Sequence, residues 1–500
     1  MLNTISIAKQ RAGGILLPVF SLPSAHGIGS FGRAAYDFVD FLAAAGQRWW
    51  QVLPLGCTGC GDSPYQSVSA FAGSPLYIDL DLLAADGLLT AAEIAAADED
   101  ADAARVDYER LTDARGPLLR LAFARGRARD AAAVAAFAAE NADWLPDFAL
   151  YMALKEENGR RAWNAWPEDD LRLHESAAVA RRAGALDSEL DFYIYLQFLF
   201  FKQWSELKSY ANRRGVRILG DLPIYVAMDS ADVWARRSDF CLDAQGGPLE
   251  VAGVPPDYFS ADGQLWGNPL YDWERQRRDG YAWWLRRLRF AGAMFDAVRI
   301  DHFRGFDSYW AVPASAATAR EGRWREGPGL PFIEALRREL PDARLVAEDL
   351  GTLTDSVRAL LRAAGYPGMK VLEFAFDPDG SSSYLPRALP ENCLCYTGTH
   401  DNAPLAAWCS ALDAAAEDFA RRYLGIGEKE DLCAAVLQAG LASDAGLFIA
   451  QLQDWLGLGR QARINTPGTV GGNWVWRLSA GALSGALAER IARQTRAAGR

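Results

Sequence analysis

The sequence predicts an α/β chain: a (β/α)8 TIM barrel with large helical and loop insertions on its C-terminal face. Three observations carry this. Short runs of β-branched and aliphatic residues recur along the chain. Helical patterns separate them, as in parallel sheets. Acids and histidines gather at the C-terminal ends of those runs, on the face where barrel chemistry sits.

The runs begin at Ile15 ("ILLPVF"), Trp49 ("WWQVLPL"), Val216 ("VRILGD"), Ala297 ("AVRID"), Leu345 ("LVAED"), Met369 ("MKVLEFAFD"), Cys393 ("CLCYTGTHD") and Ala462 ("ARINTPG"). Helical periodicity covers 34–45, 193–213, 282–291 and 354–364. The spacing is uneven. Residues 1–56 read as the first part of the barrel and 57–190 as a mainly helical insertion, Ala-rich and charged with few Pro or Gly after its first loop. Residues 191–226 resume the barrel. A second insertion, 227–296, is rich in Pro, Gly, Asp and aromatics and reads as loops; 297–500 complete the barrel.

Composition narrows the function. The 500 residues are 50% hydrophobic, ample for a large core. The net charge is −12 and the pI near 5.0, so phosphate backbones and anionic lipid surfaces are repelled. Nucleic acid and membrane are therefore not expected partners. No apolar run approaches the roughly 18 residues of a spanning helix, and the first 20 or so residues lack the order of a signal peptide. The seven cysteines, irregularly spaced, suit a reduced cytoplasmic setting. Trp and Tyr number 17 each, flat apolar faces with polar edges of the kind sugar sites use.

Gly27, Gly29 and Gly32 in "SAHGIGSFG" have the G-x-G-x-x-G spacing of a dinucleotide turn. That turn needs its first glycine directly after the strand and an acid at the end of the next strand. Here "SLPSAH" intervenes and the second run ends "VLPLG". The stretch reads instead as a βα loop at the barrel mouth. "CTGC" (Cys57–Cys60) has no second C-x-x-C, so it reads as small residues in a tight loop, neither zinc site nor redox pair.

Four strand ends concentrate the chemistry. They place Asp221 after the third run and Arg299, Asp301 and His302 after the fourth. Glu348 and Asp349 follow the fifth, and His400 and Asp401 the seventh. Strand alternation sets Arg299 and Asp301 on one face. The guanidinium can then hold Asp301 ionised, as a nucleophile requires. Glu348 faces the same mouth; apolar, anionic surroundings would raise its pKa and let it donate a proton. One ionised and one protonated carboxyl across a mouth are the apparatus of glycoside cleavage. The Asp-His and His-Asp pairs leave a metal-dependent hydrolase on the same barrel as the alternative, although no H-x-H or H-E-x-x-H completes a ligand set.

The chain also resembles the 4-α-glucanotransferases called amylomaltases or disproportionating enzymes, a branch of the α-amylase clan. The likeness runs through "SLPSAHGIGSFG", "GDSPYQSVSAFAGSP", "GDLPIYV", "GVPPDYFSADGQLWGNPLYDW", "DAVRIDHFRG", "AEDLG", "GTHDN" and "NTPGTVGGNW". It implies Asp301 as nucleophile, Glu348 as acid/base and Asp401 as a third carboxylate on the ring hydroxyls. It implies Tyr65, Asp221, Arg299 and His400 around the reacting glucose, with Tyr65 on the substrate loop near the start of the 57–190 insertion. Tyr258, Phe259 and Trp266 would lie on a lid loop, and Asn473 would be a further sugar contact. The implied partners are α-1,4-glucans, maltooligosaccharides first and starch or glycogen as longer candidates. A covalent glycosyl-enzyme conserves bond energy, so no cofactor and no metal are implied. After "HDN" come Ala403 and Pro404 where many relatives continue Asp-Thr. That departure leaves the carboxylates intact and touches only neighbouring subsites.

Overall fold

The computed structural model describes residues 7, 11–59, 61–97, 103–256, 260–351 and 353–500. Eight parallel strands form the barrel: β1 (Ala12–Leu16), β2 (Trp49–Gln51), β3 (Arg217–Leu222), β4 (Ala297–Ile300), β5 (Leu345–Ala347), β6 (Gly368–Val371), β7 (Cys393–Tyr396) and β8 (Leu447–Gln451). They are hydrogen-bonded in the order β6-β7-β8-β1-β2-β3-β4-β5. The seam between β5 and β6 is closed by Ala347 N–H donating to the Pro367 carbonyl at 2.9 Å. Asp349 Oδ1 adds to it, accepting from Met369 N–H at 2.6 Å.

Seven of the eight runs supply barrel strands. The eighth strand is Leu447–Gln451, not the run at Ala462, where the chain makes a 3₁₀ turn over Arg460–Ala462 and then a loop. The physical reason is local. "LFIAQ" passes directly into the helix Leu452–Trp455 with no Gly or Pro between them, so no turn residue marks the end of a strand there.

A two-residue period fills the lumen. Leu16, Trp49, Leu219, Ala297, Val346, Met369, Val371, Leu394, Tyr396, Leu447 and Ile449 form one buried cluster there. Counting on by two from Leu219, Ala297 and Val346 reaches Asp221, Arg299 and Glu348. The polar layer of the mouth is thus a continuation of the apolar layers below it. Outside, helices Arg33–Ala44 and Gly485–Ala497 pack on each other, and Leu145–Glu157 packs along the 27-residue helix Asp187–Arg213. These faces bury Phe38, Leu42, Leu150, Leu154, Leu196 and Phe200, among others.

The 227–296 segment is more ordered than its composition suggests. Glu250–Val254 pairs antiparallel with both Gln264–Pro269 and Ser308–Pro313, and the last pairs with Arg323–Glu326. Half of this small sheet comes from beyond β4, so no short window of sequence contains its pairing.

The glycine-rich stretch after β1 is a βα loop. A Cβ on Gly29 would lie 1.8 Å from the Val19 carbonyl, and one on Gly32 1.9 Å from the Asp79 carboxylate. Close backbone approach explains these glycines. Ser30 Oγ donates to Asp79 at 2.6 Å in the same contact.

Candidate active site

Register brings β3 and β4 into line, with Asp221 opposite Arg299. Arg299 Nη1 contacts both Asp221 oxygens at 2.8 and 2.7 Å, and its Nη2 reaches Asp301 Oδ1 at 2.9 Å. The Tyr65 hydroxyl donates to Asp221 Oδ2 at 2.9 Å. Burial pushes the Asp221 carboxyl up against the pull of Arg299. The Asp221 side chain is fully enclosed, whereas that of Asp301 is 30% exposed. Asp301 is therefore the reachable acid of the three-residue array.

Glu348 is held differently. Its Oε2 accepts from His302 N–H at 2.8 Å and its Oε1 from Leu350 N–H at 2.6 Å. Burial first, then the Asp301 charge, pushes its carboxyl up to about 7; Arg299 and the two N–H groups work against this. His302 sits in the left-handed region at φ 52, which turns its N–H toward Glu348. Burial drives its imidazole down to about 4, so it is neutral at physiological pH. Asp349 points away into the β5–β6 seam, as strand alternation requires.

Beyond β7, Asp401 Oδ1 accepts from Asn465 Nδ2 at 2.6 Å and lies 3.4 Å from His400 Nε2. Arg463 Nη2 bonds the Asp401 carbonyl at 2.6 Å. The Tyr65 ring stacks on His400 with centroids 5.2 Å apart, and Trp474 leans on both rings at 5.7 Å. Trp266 meets His302 edge-on at 4.9 Å.

A cleft of about 570 Å³ is lined by Tyr65, Trp266, Asp301, His400, Asp401 and Asn473. Arg299 and Asp221 are buried and do not line it. A second cleft, about 710 Å³, is lined by Glu348, His302, Arg304 and Trp324. The Asn473 amide is engaged within its own loop, accepting from Thr466 N–H and donating to Thr469. Tyr258 and Phe259 lie outside the described residues.

Sequence reasoning missed Asn465, Arg463 and Trp474. The first and last stand in "NTPGTVGGNW", the stretch that pointed to Asn473, so the signal was present but its assignment needed the loop's path. Cys57 donates to the Gly73 carbonyl at 3.3 Å and is pushed by burial to about 12, an inert thiol; Cys60 lies outside the described residues. Among the described residues no three His, Cys, Asp or Glu side chains converge as a metal-ligand set. Among them, too, no helix is long and apolar enough to cross a membrane.

Residues 17–483 match the glycoside hydrolase 77 family, 4-alpha-glucanotransferase. The chain is 46% identical over 488 residues to a 4-alpha-glucanotransferase of Streptococcus pneumoniae, covering 97% of this chain and 96% of that one. It is 47% identical over 486 residues to a 4-alpha-glucanotransferase of Thermus thermophilus, covering 95% and 96%. In structure it is similar to the amylomaltase of Streptococcus agalactiae in complex with acarbose, with a TM-score of 0.96 and 38% identity over 98% of this chain and 100% of that one.

Proposed function

The chain belongs to the 4-alpha-glucanotransferase family, and from that premise we propose that Asp301, Glu348 and Asp401 carry a retaining transfer between α-1,4-glucans. The observation that best supports this is the contrast between two acids: Asp301 ion-paired to Arg299, and Glu348 pushed up to about 7. Protonated Glu348 gives its proton to the glycosidic oxygen while Asp301 attacks the anomeric carbon. The reducing-end piece leaves and a β-glycosyl ester forms on Asp301. The 4-hydroxyl of a second glucan then enters. Glu348, now the base, takes its proton, and the α-1,4 bond reforms with the configuration retained.

Asp401 grips ring hydroxyls of the reacting sugar, with Asn465 fixing its orientation. Tyr65, His400, Trp266 and Asn473 line the sugar's path, and Tyr258 and Phe259 join them on sequence grounds. Arg299 orients Asp301, and Asp221 acts through Arg299 and Tyr65. Maltooligosaccharides are the substrates, with starch and glycogen the longer candidates and the cytoplasm the compartment. The family match does not favour the alternative, a metal-dependent hydrolase on the same barrel.

Incubation of chelator-treated protein with maltotriose tests this. Glucose plus a ladder of longer maltooligosaccharides is expected. Shorter sugars alone would mean hydrolysis, and activity that returns only with a divalent metal would overturn the carboxylate mechanism.

A further inference from the structure

Cys433 Sγ lies 2.9 Å from Cys409 Sγ. The other thiols with described bonds face backbone carbonyls: Cys57 at 3.3 Å, Cys241 at 3.5 Å and Cys393 at 3.0 Å. Cys409 ends the helix Leu405–Cys409, and Cys433 is the second residue of the helix Leu432–Ala442, behind the cap Asp431. Both are half-buried and neither is bridged. Burial alone would make each thiol inert.

Two features distinguish Cys433. It sits in the first turn of an 11-residue helix, where backbone N–H groups favour a thiolate while the Asp431 and Asp454 carboxylates oppose it. The sulfur contact also acts unequally on the pair, drawing Cys433 down against its burial and driving Cys409 up. The two sulfurs stand within bonding reach of one another.

We propose that Cys409 and Cys433 are a thiol–disulfide exchange site, with Cys433 as attacking thiolate and Cys409 as resolving thiol toward a small disulfide such as oxidised glutathione. In the first step the Cys433 thiolate displaces one glutathione thiolate and forms a mixed disulfide. In the second, Cys409 loses its proton to solvent and attacks the Cys433 sulfur, releasing the second glutathione as thiolate. The two protein thiols are oxidised and one glutathione disulfide is reduced to two thiols. The bond would tie together the two helices that flank Ala414–Leu424. It would lie one short helix from the β7 turn, where the Leu405 N–H is held by Asp454. The site is independent of the transfer chemistry and stands or falls apart from it.

The test is oxidation of the full-length native protein with oxidised glutathione, followed by alkylation and peptide mass mapping. The expected product has lost two thiols, is lighter by two hydrogens, joins Cys409 to Cys433, and reverts with dithiothreitol. Cys409→Ser is expected to trap glutathione on Cys433. Cys433→Ser is expected to leave Cys409 modified about tenfold more slowly. Persistence of both thiols as free alkylated cysteines, or a bond elsewhere, would overturn the site. Trapping on Cys409 at the faster rate would overturn the assignment of roles. The wild-type map decides the first point without any variant.

Discussion

The ends of β4 and β5 each present a carboxylate to the barrel mouth, and the two are stabilised by opposite means. Asp301 leans on a guanidinium that is itself anchored by a buried second acid. Among the described residues Glu348 is hydrogen-bonded by backbone N–H groups, and the Asp301 charge outweighs that of Arg299 on it. Two like acids thereby stand in unlike surroundings, and of the two Glu348 is the one whose carboxyl is raised. What differs is not the acids but what lies behind them.

The largest break in that contrast is Asp301→Asn. Disproportionation of maltotriose should fall at least about 10⁴-fold, with the unfolding midpoint moved by only a few degrees, since Asp221 still neutralises Arg299. Near-normal turnover would remove Asp301 from the chemistry.

Glu348→Gln should lower kcat by about 10²–10⁴-fold. In the unaltered protein kcat/KM should decline as pH rises through about 7, because the donor must be protonated. A pH–rate profile flat to pH values well above that would contradict the role of Glu348.

Stability should carry the same signature. The folded-state carboxyl is raised above its ordinary value, so its contribution is fully present below that value. It is lost as pH rises through about 7. Denaturant unfolding should show a loss of about 1–3 kcal/mol from this group across that window. Glu348→Gln should lack that slope.

Asn465→Ala removes the amide that fixes Asp401. A hydrogen bond to a charged group contributes about 1.5–3 kcal/mol, so kcat/KM should fall about 10- to 100-fold. The smallest effect belongs to Asp349→Asn, the acid that alternation turned into the seam. Stability should drop by about 1–2 kcal/mol while kcat on maltotriose stays within about twofold. A large loss of turnover there would blur the distinction between Glu348 and its neighbour.

Much of this was legible in the chain. Seven barrel strands declared themselves because a parallel strand buried on both faces is a short, nearly continuous apolar run. The inward direction of Asp221, Arg299 and Glu348 follows from the same period of two. Strand β8 did not declare itself, since "LFIAQ" runs straight into helix. The four-stranded sheet did not either, because antiparallel partners drawn from either side of β4 leave no local trace. Tyr65 and Trp266 could have been core residues on sequence alone; both line the cleft.

The order of the strands, the identity of the acids at their ends, and the sharing of a face by Arg299 and Asp301 were determined by the sequence itself, since each depends on neighbours a few residues apart. Tertiary structure alone decided that Asp221 is sealed behind Arg299, that Glu348 is held by the backbone N–H groups of His302 and Leu350, and that Asn465 holds Asp401. Those outcomes depend on distance and desolvation between segments far apart in the chain, and electrostatic energy in a buried site is set by such distances rather than by residue order.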